Sequence, residues 1–135
     1  MRSEIESAIE KCRELGAEIV PVSLPHTEHG ISVYYIICPA EVSSNMGRYD
    51  GIRYGHVAEG AFDIAKNRAE GLGPEVQRRA MVGSYVLSSG FYDAYYKKAS
   101  AVRELIRDDF TQAFEMVDVL LTPTAPTVAW KIGEK

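Results

Sequence analysis

A helix-rich α/β segment, with about five helices and two strands of an incomplete sheet, is the fold class this sequence predicts. Three observations carry it. Apolar residues recur at intervals of three and four from Phe91 to Val117, the signature of one amphipathic helix roughly 40 Å long at about 1.5 Å per residue. Two β-branched runs, 17–25 and 116–123, each directly follow a helical pattern, as in half of an α/β unit. Two strands do not make a stable sheet by themselves. The chain, 1–135, therefore reads as a single partial domain, a slice of a larger α/β protein.

Taken in order, Ser3-Glu4-Ile5-Glu6 fits a Ser-x-x-Glu capping box that would start a helix. Ile5, Ala8, Ile9, Cys12 and Leu15 give that helix an apolar face, and Gly16 stands where a left-handed C-cap is expected. Ala17 to Pro25 follows as a short strand, confined to an edge or bent because Pro21 has no amide to donate. The apolar run Ile31 to Ala40 suits a buried strand or a buried helix by periodicity. The small and polar residues that continue it to Asn45 favour a helix, entered or kinked near Pro39 and broken by Gly47. Ala58 to Glu70 reads as a short helix closed by Gly71-Leu72-Gly73. Pro74 opens another, because a first-turn amide has no helical partner to lose. Val76, Ala80, Gly83, Ser84 and Leu87 line its face, the small pair implying a neighbour packed close, and Ser88-Ser89-Gly90 ends it. After the long helix, Met116 to Pro123 has the unbroken β-rich pattern of a buried parallel strand.

Composition narrows the function classes. With 46% hydrophobic and 25% charged residues the chain falls in the ordinary globular range. A net charge of −4 argues against a strong nucleic-acid footprint of its own. Cys12 and Cys38 lie far apart in sequence without metal-ligand spacing, which suits reduced thiols. No apolar run approaches the roughly 20 residues of a membrane span, and the N-terminal residues lack the order of a signal peptide, so a cytoplasmic location and no membrane partner are expected.

Few catalytic constellations are present. His26 and His29 stand three apart with no third ligand placed to complete a metal site. Ser43-Ser44 and Ser88-Ser89 are doublets without a Gly-x-Ser-x-Gly elbow or a Ser-x-x-Lys pair, and Ser88 suits helix capping. Tyr92, Tyr95 and Tyr96 cluster at the start of the long helix as core aromatics with polar handles. The stretch 40–55 is different in kind. It sets Arg48 and Arg53, each followed by a tyrosine, around Asp50 and Gly51, a compact turn able to aim a guanidinium fork at a carboxylate or phosphate. On spacing alone, ordinary ion pairs of these arginines with Asp50 or Glu41 explain it as well.

Five blocks carry a resemblance: Tyr-Tyr-Ile-Ile-Cys-Pro-Ala-Glu-Val-Ser-Ser-Asn (34–45), Arg-Tyr-Asp-Gly-Ile-Arg-Tyr-Gly (48–55), Glu-Val-Gln-Arg-Arg (75–79), Gly-Phe-Tyr-Asp-Ala-Tyr-Tyr (90–96) and Asp-Val-Leu-Leu-Thr-Pro-Thr-Ala-Pro (118–126). Together they closely resemble the A subunits of aspartyl/glutamyl-tRNA(Asn/Gln) amidotransferases, within the amidase signature family, over essentially the whole chain. The last block is also generic to the wider family.

What the resemblance implies is a piece of the C-terminal half of a glutamine amidase. The full subunit hydrolyses glutamine and passes ammonia to a partner, which amidates Glu or Asp already charged on tRNA. The family's Gly/Ser-rich signature, its Lys, its cis-Ser and its nucleophilic Ser lie upstream of the matched segment and are not in this sequence. No catalytic residue is therefore expected here, and without a nucleophile no acyl-enzyme forms. Substrate recognition remains. Arg53 is the first choice for the α-carboxylate of glutamine and Asp118 the second-tier choice for its ammonium, as a carboxylate heading a buried strand wants a partner. Arg48 and Asp50 are expected to pair and stabilise the turn. The resemblance further implies the B and C subunits as partners, aminoacyl-tRNA as an indirect one, no cofactor held by this segment, and ATP and Mg used by the full complex. Exposed sheet edges would give a route to homo-oligomers. The alternative is a non-catalytic helical interaction module derived from an amidase; an acylamide amidase is disfavoured by the specificity of 48–55.

Overall fold

The computed structural model describes residues 2–134; the outermost positions of the single-domain expectation, Met1 and Lys135, lie outside the described residues. Among the described residues five α-helices are found, in the order expected: α1 (Arg2–Glu14), α2 (Gly30–Asn45), α3 (Ile64–Gly71), α4 (Pro74–Leu87) and α5 (Lys98–Phe114). Short 3-10 turns occupy Pro25–His29 and Met46–Arg48, and a π-helical turn, Tyr92–Lys97, leads into α5. The chain divides into two compact units, one made of the described residues up to Leu24 together with those from Asp109 onward, the other of Pro25–Asp108.

The two expected strands are not formed: among the described residues there is no β-structure at all. Residues 17–24 run as irregular chain, and the chain from Val117 onward makes only bends and turns. A β-branched run becomes a strand only when another strand takes its amides and carbonyls. Among the described residues neither run has such a neighbour, and Pro21, Pro25 and Pro123 remove donors from both. The sheet edges invoked for homo-oligomers disappear with the strands.

In the first unit, α1 carries surface ion pairs Arg2–Glu6 at 2.9 Å and Lys11–Glu14 at 2.8 Å, and a third between Arg13 and Glu10. Ile5, Ile9 and Cys12 are half-buried, as the periodicity predicts, while Ala8 and Leu15 are exposed. The helix already includes Ser3, so the capping box is not the start it was expected to be. Its end is as expected. Gly16 takes φ +95°, the Gly16 amide donates to the Arg13 carbonyl and the Ala17 amide to the Cys12 carbonyl, both at 3.0 Å. That pair of bonds is a Schellman motif.

In the second unit, α2 packs along α4. Tertiary packing decides the ambiguous run in favour of a helix: Val33, Ile37, Pro39 and Ala40 are its buried residues, in spite of the β-branching of Val33 and Ile37 and of the proline. Val33 and Ile37 meet Ala99 of α5, with Ile36, Tyr96, Val102 and Ile106 around them. The α2/α4 approach is set by Gly83, where an added Cβ would stand 1.8 Å from the carbonyl oxygen of Pro39. The buried face of α4 runs through Gly83 and Val86, with Val76, Arg79 and Ala80 half-buried, while the expected Ser84 and Leu87 are exposed.

Three further boundaries differ from expectation. α3 starts at Ile64 instead of Ala58, because the Asp63 side chain accepts from the amides of Ala65 (2.8 Å) and Lys66 (3.3 Å) and so caps the helix there. Its other end is closed by α4, whose Gln77 side-chain amide donates to the carbonyls of Ala69 and Leu72 at 3.1 and 2.7 Å. The long helix is regular only over Lys98–Phe114, preceded by the π-turn. Around that turn the aromatic rings stack: Tyr92 on Tyr96 with centroids 5.2 Å apart, and Phe91 on Tyr85 at 4.1 Å.

Candidate functional site

The segment between α2 and α3 is loop, and its shape is dictated by a few polar bonds. The Asp50 carboxylate accepts from the Ile52 amide at 2.8 Å, and the Gly51 amide donates to the Tyr54 carbonyl at 3.0 Å, closing a tight turn over residues 51–54. Gly51 and Gly55, at φ +88° and +98°, hold the left-handed backbone at the two ends of the turn. Tyr49 and Tyr54 face one another at 6.5 Å between ring centroids.

Two side chains of α3 anchor this loop. Asn67, only 2% exposed, donates from Nδ2 to the Asp50 carbonyl at 3.0 Å and accepts at Oδ1 from the Ala58 amide at 2.8 Å. The chemistry fixes which way the amide points, since a carbonyl can only accept and a backbone N–H can only donate. Arg68 donates to the carbonyls of Met46 (2.6 Å) and Tyr49 (3.3 Å). His56 and Glu70 add an exposed contact of 3.2 Å.

Arg53 lies inside the tight turn, exposed, and makes no hydrogen bond or ion pair among the described residues. Arg48 and Asp50 do not pair with each other. Arg48 reaches the Asn45 side chain at 3.4 Å, while Asp50 spends its carboxylate on the turn, where a backbone amide two residues on is nearer at hand than a guanidinium. Asp118 lies in the other unit, exposed and in a bend; the premise that it heads a buried strand is overturned with the strand itself. Ser88 ends α4 as expected, its hydroxyl donating to the Tyr85 carbonyl at 2.7 Å. His29 lies 3.8 Å from Glu28, and among the described residues no group of three or more His, Cys, Asp or Glu is arranged to hold a metal ion. A hollow of about 630 Å³ is lined by Glu59 to Ile64 and Lys66, a nearly contiguous stretch of chain that does not include Arg53. No helix among the described residues is long and apolar enough to cross a membrane.

A second polar cluster joins α2 to α4. Arg79 donates from Nη1 to the Tyr34 hydroxyl at 2.7 Å and from Nε to Glu75 at 2.9 Å, with Cys38 Sγ 3.9 Å away and the Tyr34 ring 5.7 Å from the guanidinium carbon. The Tyr34 hydroxyl and then Glu75 hold the Arg79 proton more tightly than usual. The hydrogen bond from Arg79, helped by Arg78, keeps the Glu75 carboxyl below its ordinary 4.5. The i, i+4 spacing of Glu75 and Arg79 was legible in the sequence; the cross-helix partner Tyr34 was not. Asn67 and Arg68 escaped the sequence reading altogether, because nothing in a single polar residue on a short helix says which distant carbonyl it reaches.

The Amidase family matches residues 1–135, so the chain belongs to that family. Among curated relatives, the chain is 58% identical over its whole length to the A subunit of the Glutamyl-tRNA(Gln) amidotransferase of Geobacter sulfurreducens, of which it covers 29%. It is 56% identical, again over its whole length, to the protein of that name from Heliobacterium modesticaldum, covering 28% of it. With the one from Prochlorococcus marinus it shares 55% identity over 98% of the chain and 28% of the relative. The chain thus spans less than a third of the length of these relatives.

Proposed function

We propose that this chain is the part of a glutamine-hydrolysing amidotransferase subunit that supplies walls of the glutamine pocket, the whole subunit providing ammonia for the conversion of Glu-tRNA(Gln) or Asp-tRNA(Asn) to Gln-tRNA(Gln) or Asn-tRNA(Asn). The observation that carries it is Arg53: a guanidinium held in a tight turn, exposed and without a partner among the described residues, on a loop whose two flanks are tied down by Asn67 and Arg68. A carboxylate is the ligand whose two oxygens match that fork. Arg53 receives the α-carboxylate of glutamine in this reading. The nucleophile that would form the acyl-enzyme belongs to sequence outside this chain, so the chain alone is inactive. ATP and Mg serve the tRNA-dependent step, in which no residue of this chain is given a part, and B and C subunits are the partners.

The surface supports a role within a larger body. α2 is apolar on nearly every side, the pattern of a helix covered all round, yet Ile31 and Tyr35 on it are 73% and 57% exposed. The helical interaction module, the second reading, draws on the same exposed side chains but leaves the unpaired Arg53 without a purpose.

The test is kinetic. In the full-length Geobacter sulfurreducens protein carrying this chain in place of its matching segment, Arg53→Ala raises the glutamine KM or lowers kcat/KM at least about tenfold. An unchanged value removes the assignment. The isolated chain releases no ammonia from glutamine at an enzymatic rate; if it does, the reading falls.

A further inference from the structure

We propose that Asn67 is a positioning residue for glutamine recognition: its buried amide ties residue 50 to residue 58 and so fixes the turn from which Arg53 meets the carboxylate. The inference rests on the Arg53 reading above and adds to it the device that sets the guanidinium's place.

The geometry is specific. Asn67 is 2% exposed, and both of its polar ends are used on backbone groups that bracket the turn, the Asp50 carbonyl oxygen at 3.0 Å and the Ala58 amide nitrogen at 2.8 Å. The loop closes onto the amide so tightly that a Cβ on Gly51 would stand 2.2 Å from Asn67 Nδ2. Arg53 itself has no bond among the described residues to hold it, so its backbone is oriented by the turn; Asn67 ties both flanks of that turn, and Arg68 adds a hold on the residue 49 side. A bidentate contact loses strength quickly when the fork is displaced, since both N–H groups must reach their oxygens together. Freeing the loop therefore weakens recognition of the carboxylate while leaving the chemistry of the amide group untouched.

Asn67→Ala and Asn67→Asp are compared in the same full-length chimera, on glutamine and on 4-aminobutanamide, which is glutamine without its α-carboxylate. Asn67→Asp keeps the acceptor for Ala58 but loses the donor to Asp50. The expected result is a glutamine KM raised about tenfold by Asn67→Ala and at least as much by Asn67→Asp, whose carboxylate would face the Asp50 carbonyl oxygen, with kcat within about twofold, because misplacement of a binding group by ~1 Å has effects of that order or larger. Turnover of 4-aminobutanamide stays unchanged, and Asn67→Ala adds nothing in an Arg53→Ala background. Equal losses on both substrates, an additive double variant, or an unaltered glutamine KM overturns the inference. If Arg53→Ala is harmful and Asn67→Ala silent, only the positioning role fails; if Arg53→Ala is itself silent, the Arg53 reading fails and this inference with it. Should neither Asn67 variant fold, amide hydrogen exchange of the unaltered chain decides: protection at Ala58 supports the tie, and exchange at the rate of free chain overturns it.

Discussion

Gly83 and Pro39 meet backbone to backbone: a Cβ placed on Gly83 would stand 1.8 Å from the Pro39 oxygen and 2.5 Å from its carbonyl carbon. The absence of a side chain at residue 83 is what lets α4 lie along α2 at this distance. Replacing Gly83 by Ala obliges two helices to separate, which costs about 3 kcal/mol, the upper part of the range for overpacked sites. Chemical denaturation of the chain measures it. Ser84→Ala, one position along and exposed, changes stability by less than about 0.5 kcal/mol.

Gly16→Ala tests the end of α1. Residue 16 has φ +95° and nothing within 4 Å of an added Cβ, so any loss comes from backbone conformation alone. About 1 kcal/mol is expected. Gly30→Ala, where the backbone is not left-handed and the space is equally open, is neutral or slightly stabilising by comparison. Urea midpoints of the two variants give the contrast.

Acid should weaken the α2/α4 cluster. Glu75 is held below its ordinary 4.5 by the hydrogen bond from Arg79 and by Arg78, so the folded chain binds fewer protons there than the unfolded chain. Its stabilising contribution is complete above about pH 5 and is lost as pH falls through the depressed value. Glu75→Gln flattens that part of the stability profile, read by denaturation at a series of pH values. Tyr34→Phe moves the same slope less, because Tyr34 reaches Glu75 only through Arg79.

The helices were legible because each rule that predicts them is local. Gly16 announced its left-handed cap, Pro74 opened α4, and small residues near 83 announced a close neighbour. Residues 17–25 and 116–123 misled for the opposite reason: a strand's identity depends on what lies beside it, and β-branched composition says nothing about whether a partner is there. Asp63 shortened α3 because an aspartate two residues before Ala65 competes with helix continuation by capping instead. Arg53 could be singled out from the pattern of 48–55. That it is unpaired while Arg48 and Asp50 go to separate local bonds could not, since each choice turns on distances of a few tenths of an ångström. Asn67 serves residues 9 and 17 positions away, beyond the reach of any spacing rule.

The π-turn at Tyr92–Lys97 leads from the turn after α4 straight into α5. Removing one residue from it would swing the chain ahead of the deletion by about 100° about the helix axis relative to α5. Phe91 on the ring of Tyr85 and Ala99 against Val33 and Ile37 could then not both keep their places. The wide winding thus acts as an indexing step that lets one stretch of chain seat an aromatic stack and an apolar interior at once.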